Sequence, residues 1–287
     1  MLRLKSLMIL DSRKAMSLFP NGKLLINTIN AHSYNTAQKD KLFAEALQQG
    51  DVLIPDGASI VKACRWLNAR SKLTERIAGW NLFEFEMNKL NTIGGKCFFM
   101  GSSEKVLALI KQRVKVDYPN IEVETYSPPY KPEFSEEDNR AIVEAINKAN
   151  PDLLWIGMTA PKQEKWAYTH WHELKIHCHC GTIGAVFDFY AGTVKRAPTW
   201  WQRHSLEWCY RLLKNLAGCG NVTLSAICCS CGIYVRSSLM KRILLLVFLC
   251  SVSLWADAQA LLGLPDCFML PRLICSVIKR SCLVETI

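Results

Sequence analysis

The sequence predicts an α/β fold: a parallel sheet with helices on both faces, followed by a C-terminal helical appendage and an irregular tail. Half of the 287 residues are apolar and 21% are charged, which fits a globular core and excludes a disordered chain. Short apolar runs alternate with helical patterns as far as residue 180, and this alternation indicates strand–helix units of a parallel sheet. Eight of the thirteen cysteines follow residue 218, so the end of the chain differs in kind from its body.

The first strand–helix units are predicted between residues 24 and 67. Leu24–Ile29 is a short apolar run typical of a buried strand, and a polar loop is expected to follow it at Asn30. The composition of residues 39–48 favours a helix. A second strand is predicted over 51–55 and a second helix over 60–67.

The sheet is predicted to continue after residue 96. Strands are expected over 97–100, 121–125, 153–158 and 176–180, and helices over 104–114, over 136–149 and up to about residue 174. The helix over 136–149 is the best marked, because Ser135 can cap its N-terminus and Asp138 lies in its first turn.

Functional residues are expected where the strands end, because ligands of open parallel sheets bind at the carboxyl ends of the strands. This rule selects the loops at Asn30, Asp56, Gly101, 159–163 and 181–188. Gly101 precedes a helix whose first backbone N–H groups could hold a phosphate, although glycine also simply ends strands. Gly184 belongs to an equally weak glycine pattern without the full dinucleotide-binding spacing.

Two aspartates in these loops are candidates for chemistry. Asp56 follows a strand, and its carboxylate could serve as a general base for an incoming hydroxyl. The alternative is that Asp56 forms a turn or caps the helix that starts near residue 58. Asp188 is flanked by aromatic residues, so it requires either a ligand or a cation such as Lys195 or Arg196 as its partner.

A cluster of histidines and cysteines raises a zinc hypothesis, and with it a zinc-dependent hydrolase. The spacing favours a buried strand instead, because residues 177–180 alternate between the two faces of a strand and no second pair stands at finger-like spacing. No two aspartates are separated by one residue, so the chain lacks an Asp-x-Asp motif for a metal-bound diphosphate. If the protein handles a diphosphate, arginine and lysine are expected to neutralise it without a metal or cofactor.

Eight ordered segments between residues 28 and 213 together resemble the WecG/TagA/CpsF glycosyltransferases, glycosyltransferase family 26. They are Thr28-Ile29-Asn30-Ala31, Pro55-Asp56-Gly57, Arg76-Ile77-Ala78-Gly79, Phe98-Phe99-Met100-Gly101, Gly157-Met158-Thr159-Ala160-Pro161-Lys162-Gln163-Glu164, the run from Gly181 to Asp188, the run from Gly192 to Pro198, and the run from Leu206 to Leu213.

The resemblance implies a Rossmann-like domain that moves a hexose or an N-acetylhexosamine-type sugar from a UDP-sugar to a sugar on polyprenyl diphosphate. Such enzymes act in surface-polysaccharide assembly, including exopolysaccharide synthesis in the bacterial cell envelope, and transfer with inversion and without a metal. The resemblance also implies a cytoplasmic protein held peripherally at the inner face of the cytoplasmic membrane. The short apolar run over 7–10, which Asp11 ends, likewise argues against export.

The resemblance also assigns site residues. Asp56 matches the general base of the family and Thr28 an active-site threonine. Asn30, Lys162, Gln163 and Asp188 match pocket positions. The remaining expected substrate contacts are Gly57, Arg76, Gly101, Gly184, Lys195, Arg196, Arg203 and Arg211.

The segment after residue 195 is the most basic part of the chain. Residues 195–220 hold five cations and only Glu207, a net +4 out of the +10 of the whole chain. Tryptophans at 200, 201 and 208 accompany these cations, which is the chemistry of a segment that contacts a membrane surface; an amphipathic helix packed on the body is the alternative. No nucleic-acid partner is expected, and self-association into a homo-oligomer stays open.

Three parts of the chain are therefore predicted: a glycosyltransferase domain over 1–198, a basic and aromatic helix over 199–218 and an atypical tail over 219–287. In the tail, Met240-Lys241-Arg242 and an apolar run precede Ala256-Asp257-Ala258, the pattern of a secretory signal in the wrong place. We expect a frameshifted tail, with a membrane anchor as the alternative; a shifted frame would leave a catalytically impaired nucleotide- or polyprenyl-phosphate-binding module as the second hypothesis for function.

Overall fold

The computed structural model describes residues 2–195, 197–198 and 200–201, which form six strands and eight α-helices. Two short 3₁₀ helices, Leu4–Ser6 and Arg13–Leu18, precede the first strand. Arg196, Arg203 and Arg211, most of the predicted helix over 199–218 and the whole tail over 219–287 lie outside the described residues.

The elements alternate along the chain as the sequence pattern predicts. The strands are β1 (Leu24–Ile29), β2 (Val52–Pro55), β3 (Gly95–Gly101), β4 (Ile121–Tyr126), β5 (Leu153–Gly157) and β6 (His179–Thr182). The helices are α1 (Ala31–Ala37), α2 (Lys41–Gln49), α3 (Ala58–Trp66), α4 (Gly79–Ile93), α5 (Glu104–Asp117), α6 (Glu136–Ala149), α7 (Lys162–His170) and α8 (Gly184–Ala191).

All six strands form one parallel sheet in the order β2-β1-β6-β5-β3-β4. Because every pair is parallel, the carboxyl ends of all six strands lie along the same edge of the sheet. The predicted α/β class and the parallel sheet are thereby confirmed, and the loops selected from the sequence share one edge.

Helices cover both faces of this sheet, as predicted. Phe83 of α4, Ile110 of α5 and Phe187 of α8 pack with Phe99 and Trp155 of the strands on one face. On the other face, the buried residues Ile142 and Ile146 of α6 and Trp166 of α7 pack against Leu154 and Ile156 of β5. Strands buried on both faces read as continuous apolar runs, which is why apolar runs in the sequence located them.

Local capping groups set the helix boundaries. The Ser135 hydroxyl accepts a hydrogen bond from the Asp138 N–H, and the Asp138 carboxylate accepts one from the Ser135 N–H. This capping box confirms the predicted start of α6. Asn30 caps α1 in the same reciprocal way with Ser33. The polar loop expected after Asn30 is thus wrong, because a capping box converts those polar residues into the first turn of a helix.

Two further predictions near the end of the sheet are wrong. The last strand was expected over 176–180, but β6 begins at His179 and pairs with β1 and β5 from there. The loop expected over 181–188 consists instead of the last two residues of β6 and most of α8. Ile176 is buried outside the ladder, and α8 buries much of its surface, so neither burial nor periodicity located the true boundaries.

Candidate active site

The carboxyl edge of β1 and β2 brings together the residues expected to perform chemistry. Thr28 is paired with Ile54 and Ile29 with Pro55, so Asn30 and Asp56 follow directly where the two neighbouring strands end. The Asp56 N–H donates to the Ile29 carbonyl at 2.9 Å and extends the ladder by one residue. Sheet pairing therefore places Asn30 beside Asp56, although 26 positions separate them in the chain.

Asp56 forms an ion pair with Arg76. The guanidinium donates from Nη2 and Nε to Asp56 Oδ1, at 3.1 and 3.4 Å. Both side chains keep about a quarter of their surface exposed, 28% for Asp56 and 26% for Arg76. Within the part of the chain described, no hydrogen bond reaches Asp56 Oδ2, so the carboxylate is held by one oxygen and presents the other.

The local geometry tests one alternative for Asp56, that it caps the helix starting near residue 58. The N-cap of α3 is Gly57, and among the described residues the Asp56 side chain bonds to Arg76 and not to the backbone of the first turn of that helix. Asp56 therefore does not cap α3, and the capping alternative is wrong. The backbone holds Arg76 in place, because the Ile77 N–H donates to the Pro55 carbonyl at 3.0 Å, one residue before Asp56.

Small groups surround this acid. Thr28 is half-buried on β1, and Asn30 uses its side-chain oxygen to cap α1. A Cβ placed on Gly57 would lie 3.4 Å from Asn30 Cβ, so these two residues are in close approach. This distance is an ordinary van der Waals contact, so space alone does not require glycine at position 57.

Gln163 joins the loops that follow β5 and β6. Its Oε1 accepts hydrogen bonds from the Met158 N–H at 3.2 Å and from the Gly184 N–H at 3.0 Å. Gln163 is 4% exposed, and its Nε2 donates to Glu164 Oε1 at 2.8 Å. We call this arrangement of Gln163, Met158 and Gly184 the Gln163 clamp; whether Gln163 also contacts a substrate stays a prediction.

Within the Gln163 clamp, position 184 requires glycine for a steric reason. A Cβ at this position would lie 2.1 Å from the Met158 carbonyl oxygen and 2.9 Å from Gln163 Oε1. No side chain fits there, so glycine lets the first turn of α8 approach the loop after β5. At Gly101 the reason is similar, since its φ is +119° and a Cβ would lie 2.3 Å from the Gly157 carbonyl oxygen.

Lys162, the next expected pocket residue, is held by the loop between β4 and α6. Its ammonium donates to the Lys131 carbonyl and lies 3.5 Å from the centre of the Phe134 ring. Burial lowers the pKa of Lys162, while the charge of Asp138 acts in the opposite direction. These contacts place a cation near the carboxyl edge of β4 and β5, and its role as a substrate contact stays a prediction.

In the described residues, the Asp188 carboxylate is bonded by a threonine hydroxyl. It lies in α8, and its Oδ1 accepts a hydrogen bond from the Thr193 hydroxyl at 3.3 Å, which also bonds to the Asp188 carbonyl. Lys195, one of the partners expected for Asp188, is exposed and makes no ion pair with it in the described part of the chain; Arg196 lies outside the described residues, and a ligand as the partner stays a prediction. The turn that ends α8 at Gly192 brings Thr193 back onto the aspartate.

The His179 group lies at the opposite edge of the sheet. His179 Nδ1 is 2.9 Å from Glu86 Oε1, and its Nε2 is 2.9 Å from the Pro20 carbonyl oxygen. Cys178 and Cys180 are buried, and burial raises the pKa of the Cys178 thiol to about 12. Among the described residues, no group of three such side chains is arranged to hold a metal ion. A cavity of about 200 Å³ is lined by residues that include His177 and Glu86. It lies at the amino ends of the strands and not at their carboxyl ends.

The helices within the described ranges are all too short or too polar to cross a membrane. Of the basic segment over 195–220, the structure describes positions 195, 197, 198, 200 and 201. The rings of Trp200 and Trp201 meet edge to face at 5.5 Å.

The architecture is that of an open parallel α/β protein, whose ligands bind at the carboxyl ends of the strands, and Asp56 and Arg76 are paired at that edge. The chain belongs to the Glycosyl transferase WecG/TagA/CpsF family, whose model matches residues 10–223. This is the family that the ordered sequence motifs predict, and the parallel α/β fold agrees with it.

Several characterised relatives carry one name, N-acetylglucosaminyldiphosphoundecaprenol N-acetyl-beta-D-mannosaminyltransferase. The relative from Bacillus subtilis is 32% identical over 191 residues, which cover 67% of this chain and 72% of the relative. That from Bacillus spizizenii is 32% identical over 197 residues, 69% and 74% of the two chains. That from Staphylococcus aureus strain NCTC 8325 is 28% identical over 192 residues, 67% and 72% of the two chains.

Proposed function

We propose that this protein transfers a hexose or N-acetylhexosamine-type sugar from a UDP-sugar to a sugar on polyprenyl diphosphate, with inversion and without a metal. The single observation that carries the proposal is Asp56, which is held at the strand ends by Arg76 through Oδ1 and presents Oδ2. The names of the relatives, which describe sugar transfer to a diphosphoundecaprenol-linked sugar, support the acceptor class.

In the proposed reaction Asp56 Oδ2 accepts the proton of the acceptor hydroxyl. The hydroxyl oxygen then bonds to the anomeric carbon of the donor sugar, and the bond from that carbon to the diphosphate breaks to release UDP. Direct attack from the opposite side inverts the anomeric centre. One base suffices for this step, because the leaving diphosphate requires stabilisation of negative charge rather than a proton.

Cations supply that stabilisation in the proposal. Lys162 lies near the carboxyl edge, and Lys195 is exposed after α8. Arg196, Arg203 and Arg211 are proposed to complete the set from the basic segment, which would also place the enzyme at the inner face of the cytoplasmic membrane. A cationic segment with tryptophans suits this position, because the cations attract anionic lipid and the indole rings favour the interface.

We expect Asp56→Asn to lower turnover by about 10²–10⁴-fold, the usual contribution of a general base. The assay is a donor screen with UDP-sugars and a short-chain polyprenyl-diphosphate sugar acceptor, run in the presence of a chelator. Wild-type transfer is expected to persist in the chelator.

Asp117→Asn is the matched control, because Asp117 also pairs with an arginine at 3.0 Å but lies at the end of α5. It is expected to leave turnover close to the wild type. Near-normal turnover of Asp56→Asn would remove Asp56 as the base, and transfer that stops in the chelator would overturn the metal-independent mechanism.

A further inference from the structure

The carboxyl group of Glu164 is among the most deeply buried titratable groups of the described residues, and the proposed chemistry does not use it. Glu164 is 1% exposed and lies in α7, one residue after Gln163. Its Oε1 accepts a hydrogen bond from Gln163 Nε2 at 2.8 Å. Its Oε2 is fully enclosed and has no hydrogen-bond partner among the described residues. Such a group is costly to bury, so its retention calls for a role.

The bond from Gln163 decides how the Gln163 amide is oriented. Two backbone N–H groups, those of Met158 and Gly184, point at the same amide oxygen, and only an oxygen can accept from both. With the oxygen so placed, the NH₂ group must face an acceptor, and Glu164 Oε1 is that acceptor. A rotation of the amide by half a turn would lose all three hydrogen bonds.

The orientation of this amide sets the distance between two strand ends. The Met158 N–H follows β5 and the Gly184 N–H begins α8 after β6, and these two strands are neighbours in the sheet. The approach is tight, since a Cβ on Gly184 would lie 2.1 Å from the Met158 carbonyl oxygen. A small rotation of Gln163 would therefore change how both loops face the edge of the sheet that holds Asp56.

We propose that Glu164 is a positioning residue, which acts through Gln163 to hold the ends of β5 and β6 in the arrangement that sugar transfer requires. This inference rests on the proposed function for the location of the active site. Glu164 touches no expected substrate group and is not itself the base. Burial raises the pKa of Glu164 to about 7, and the hydrogen bond from Gln163 acts in the opposite direction. Either protonation state keeps an oxygen that can accept from Gln163.

Three substitutions at position 164 separate the acceptor from the charge. Glu164→Gln keeps an acceptor oxygen of the same reach, so it is expected to retain turnover within about threefold of the wild type. Glu164→Met removes the acceptor at similar volume, and Glu164→Asp withdraws it by one methylene. Both are expected to lower kcat by tenfold or more, as misplacement of a site does, while KM for the donor changes less.

A double-mutant cycle with Gln163→Leu tests whether Glu164 acts through Gln163. If it does, Glu164→Met has no further effect on kcat in the Gln163→Leu background. Amide hydrogen exchange gives a readout that needs no activity: the Met158 and Gly184 N–H groups are expected to exchange faster in Glu164→Met and at the wild-type rate in Glu164→Gln. Should Glu164→Met fail to fold, Glu164→Asp carries the same comparison.

Glu86→Gln is the matched control, because Glu86 is also a buried carboxyl with a hydrogen-bonded partner but lies at the opposite edge of the sheet. It is expected to lower Tm without changing kcat or the exchange of Met158 and Gly184. Additive losses in the cycle, unchanged exchange in both Glu164→Met and Glu164→Asp, or a kcat loss in Glu86→Gln as large as theirs would overturn the positioning role. Absence of transfer in the wild type would overturn the proposed function instead, while the exchange result would still decide whether Glu164 orients Gln163.

Discussion

At the scale of single residues, His179 shows how the two edges of the sheet differ. Both of its ring nitrogens face acceptors, a carboxylate oxygen of Glu86 and the carbonyl oxygen of Pro20. A carbonyl cannot donate, and an ionised carboxylate cannot either, so this geometry suits the doubly protonated imidazolium. The pair ties the segment before β1 to β6 and α4, and so contributes to the fold rather than to the proposed chemistry.

This pair predicts a pH dependence of stability. Burial alone would lower the pKa of His179, but the hydrogen bond and charge of Glu86 and the Pro20 carbonyl together raise it above its usual value. A raised folded pKa stabilises the protein fully below the unfolded pKa of about 6.5, and the stabilisation is lost as pH rises through the folded pKa. We expect the Tm advantage of the wild type over His179→Gln to be largest at about pH 6 and to shrink as the pH rises through the folded pKa of His179.

His172→Gln is the control for this measurement, since the His172 side chain is 78% exposed. Its melting curve is expected to follow the wild type at every pH. A constant Tm difference between the wild type and His179→Gln across the range would show that His179 does not carry the charge.

The residue scale also shows what composition cannot determine. The half-buried candidates Asn30 and Asp56 are predicted from their place after apolar runs, and Thr28 from the family resemblance alone; pairing of β1 with β2 brings them together. Arg76 was predicted only by resemblance, because no local pattern links it to an acid 20 positions earlier. Glu164 ends the segment 157–164 that resembles the family, but the sequence predicts no role for it, since its burial depends on α7 packing against the sheet.

At the scale of elements, the glycines at the strand ends carry the closest contacts. Gly181, within β6, lies under the Trp155 ring, where a Cβ would be 2.3 Å from the nearest ring carbon. Gly101 and Gly184 occupy corresponding places where β3 ends and α8 begins. The spacing of the loops around the candidate site therefore depends on absent side chains as much as on present ones.

We expect Gly184→Ala to destabilise the protein by about 3 kcal/mol, because the new Cβ meets a backbone carbonyl that cannot move without shifting β5. The measurement is the free energy of unfolding in urea. Gly192→Ala is the control: a Cβ there meets nothing within 4 Å, and its φ of +77° should cost about 1 kcal/mol. Equal losses for the two variants would show that the loop after β5 yields to the added methyl group.

Element prediction succeeded where burial and ladder pairing coincide and failed where they separate. β1 and α6 match their predicted bounds, because an uninterrupted apolar run and a Ser135 cap are local signals. The helices α1, α4 and α8 were not predicted. Their starts depend on the reciprocal bonds of Asn30 with Ser33, on Asn81 Oδ1 accepting from the Ala78 N–H, and on the Gln163 clamp.

At the scale of the whole molecule, the net charge is distributed unevenly along the chain. The body is close to balanced, whereas residues 195–220 carry a net +4. Such a segment is attracted to anionic lipid by about 1 kcal/mol for each cation near the surface. The proposed membrane contact therefore depends on a short stretch of chain and not on the overall net charge of +10.

We expect Arg203→Glu combined with Arg211→Glu to weaken binding to vesicles that contain phosphatidylglycerol by about 30-fold or more, from the loss of two such attractions. Flotation of the full chain with these vesicles measures it. The control combines Lys111→Glu and Lys148→Glu, which change the net charge equally at exposed positions of α5 and α6. Equal loss in both double variants would indicate that general charge, and not the segment, drives binding; no binding by the wild type would remove the membrane as a partner.

The sequence by itself determined the α/β class, the order of the six strands along the chain, the family and the acid at the end of β2, because apolar runs, caps and ordered motifs are local signals. Only the tertiary structure decided the strand order in the sheet, the pairing of Asp56 with Arg76, the Gln163 clamp and the burial of Glu164. Each of these depends on contacts between segments far apart in the chain, and their geometry is set by parallel pairing and close packing, which no local pattern encodes.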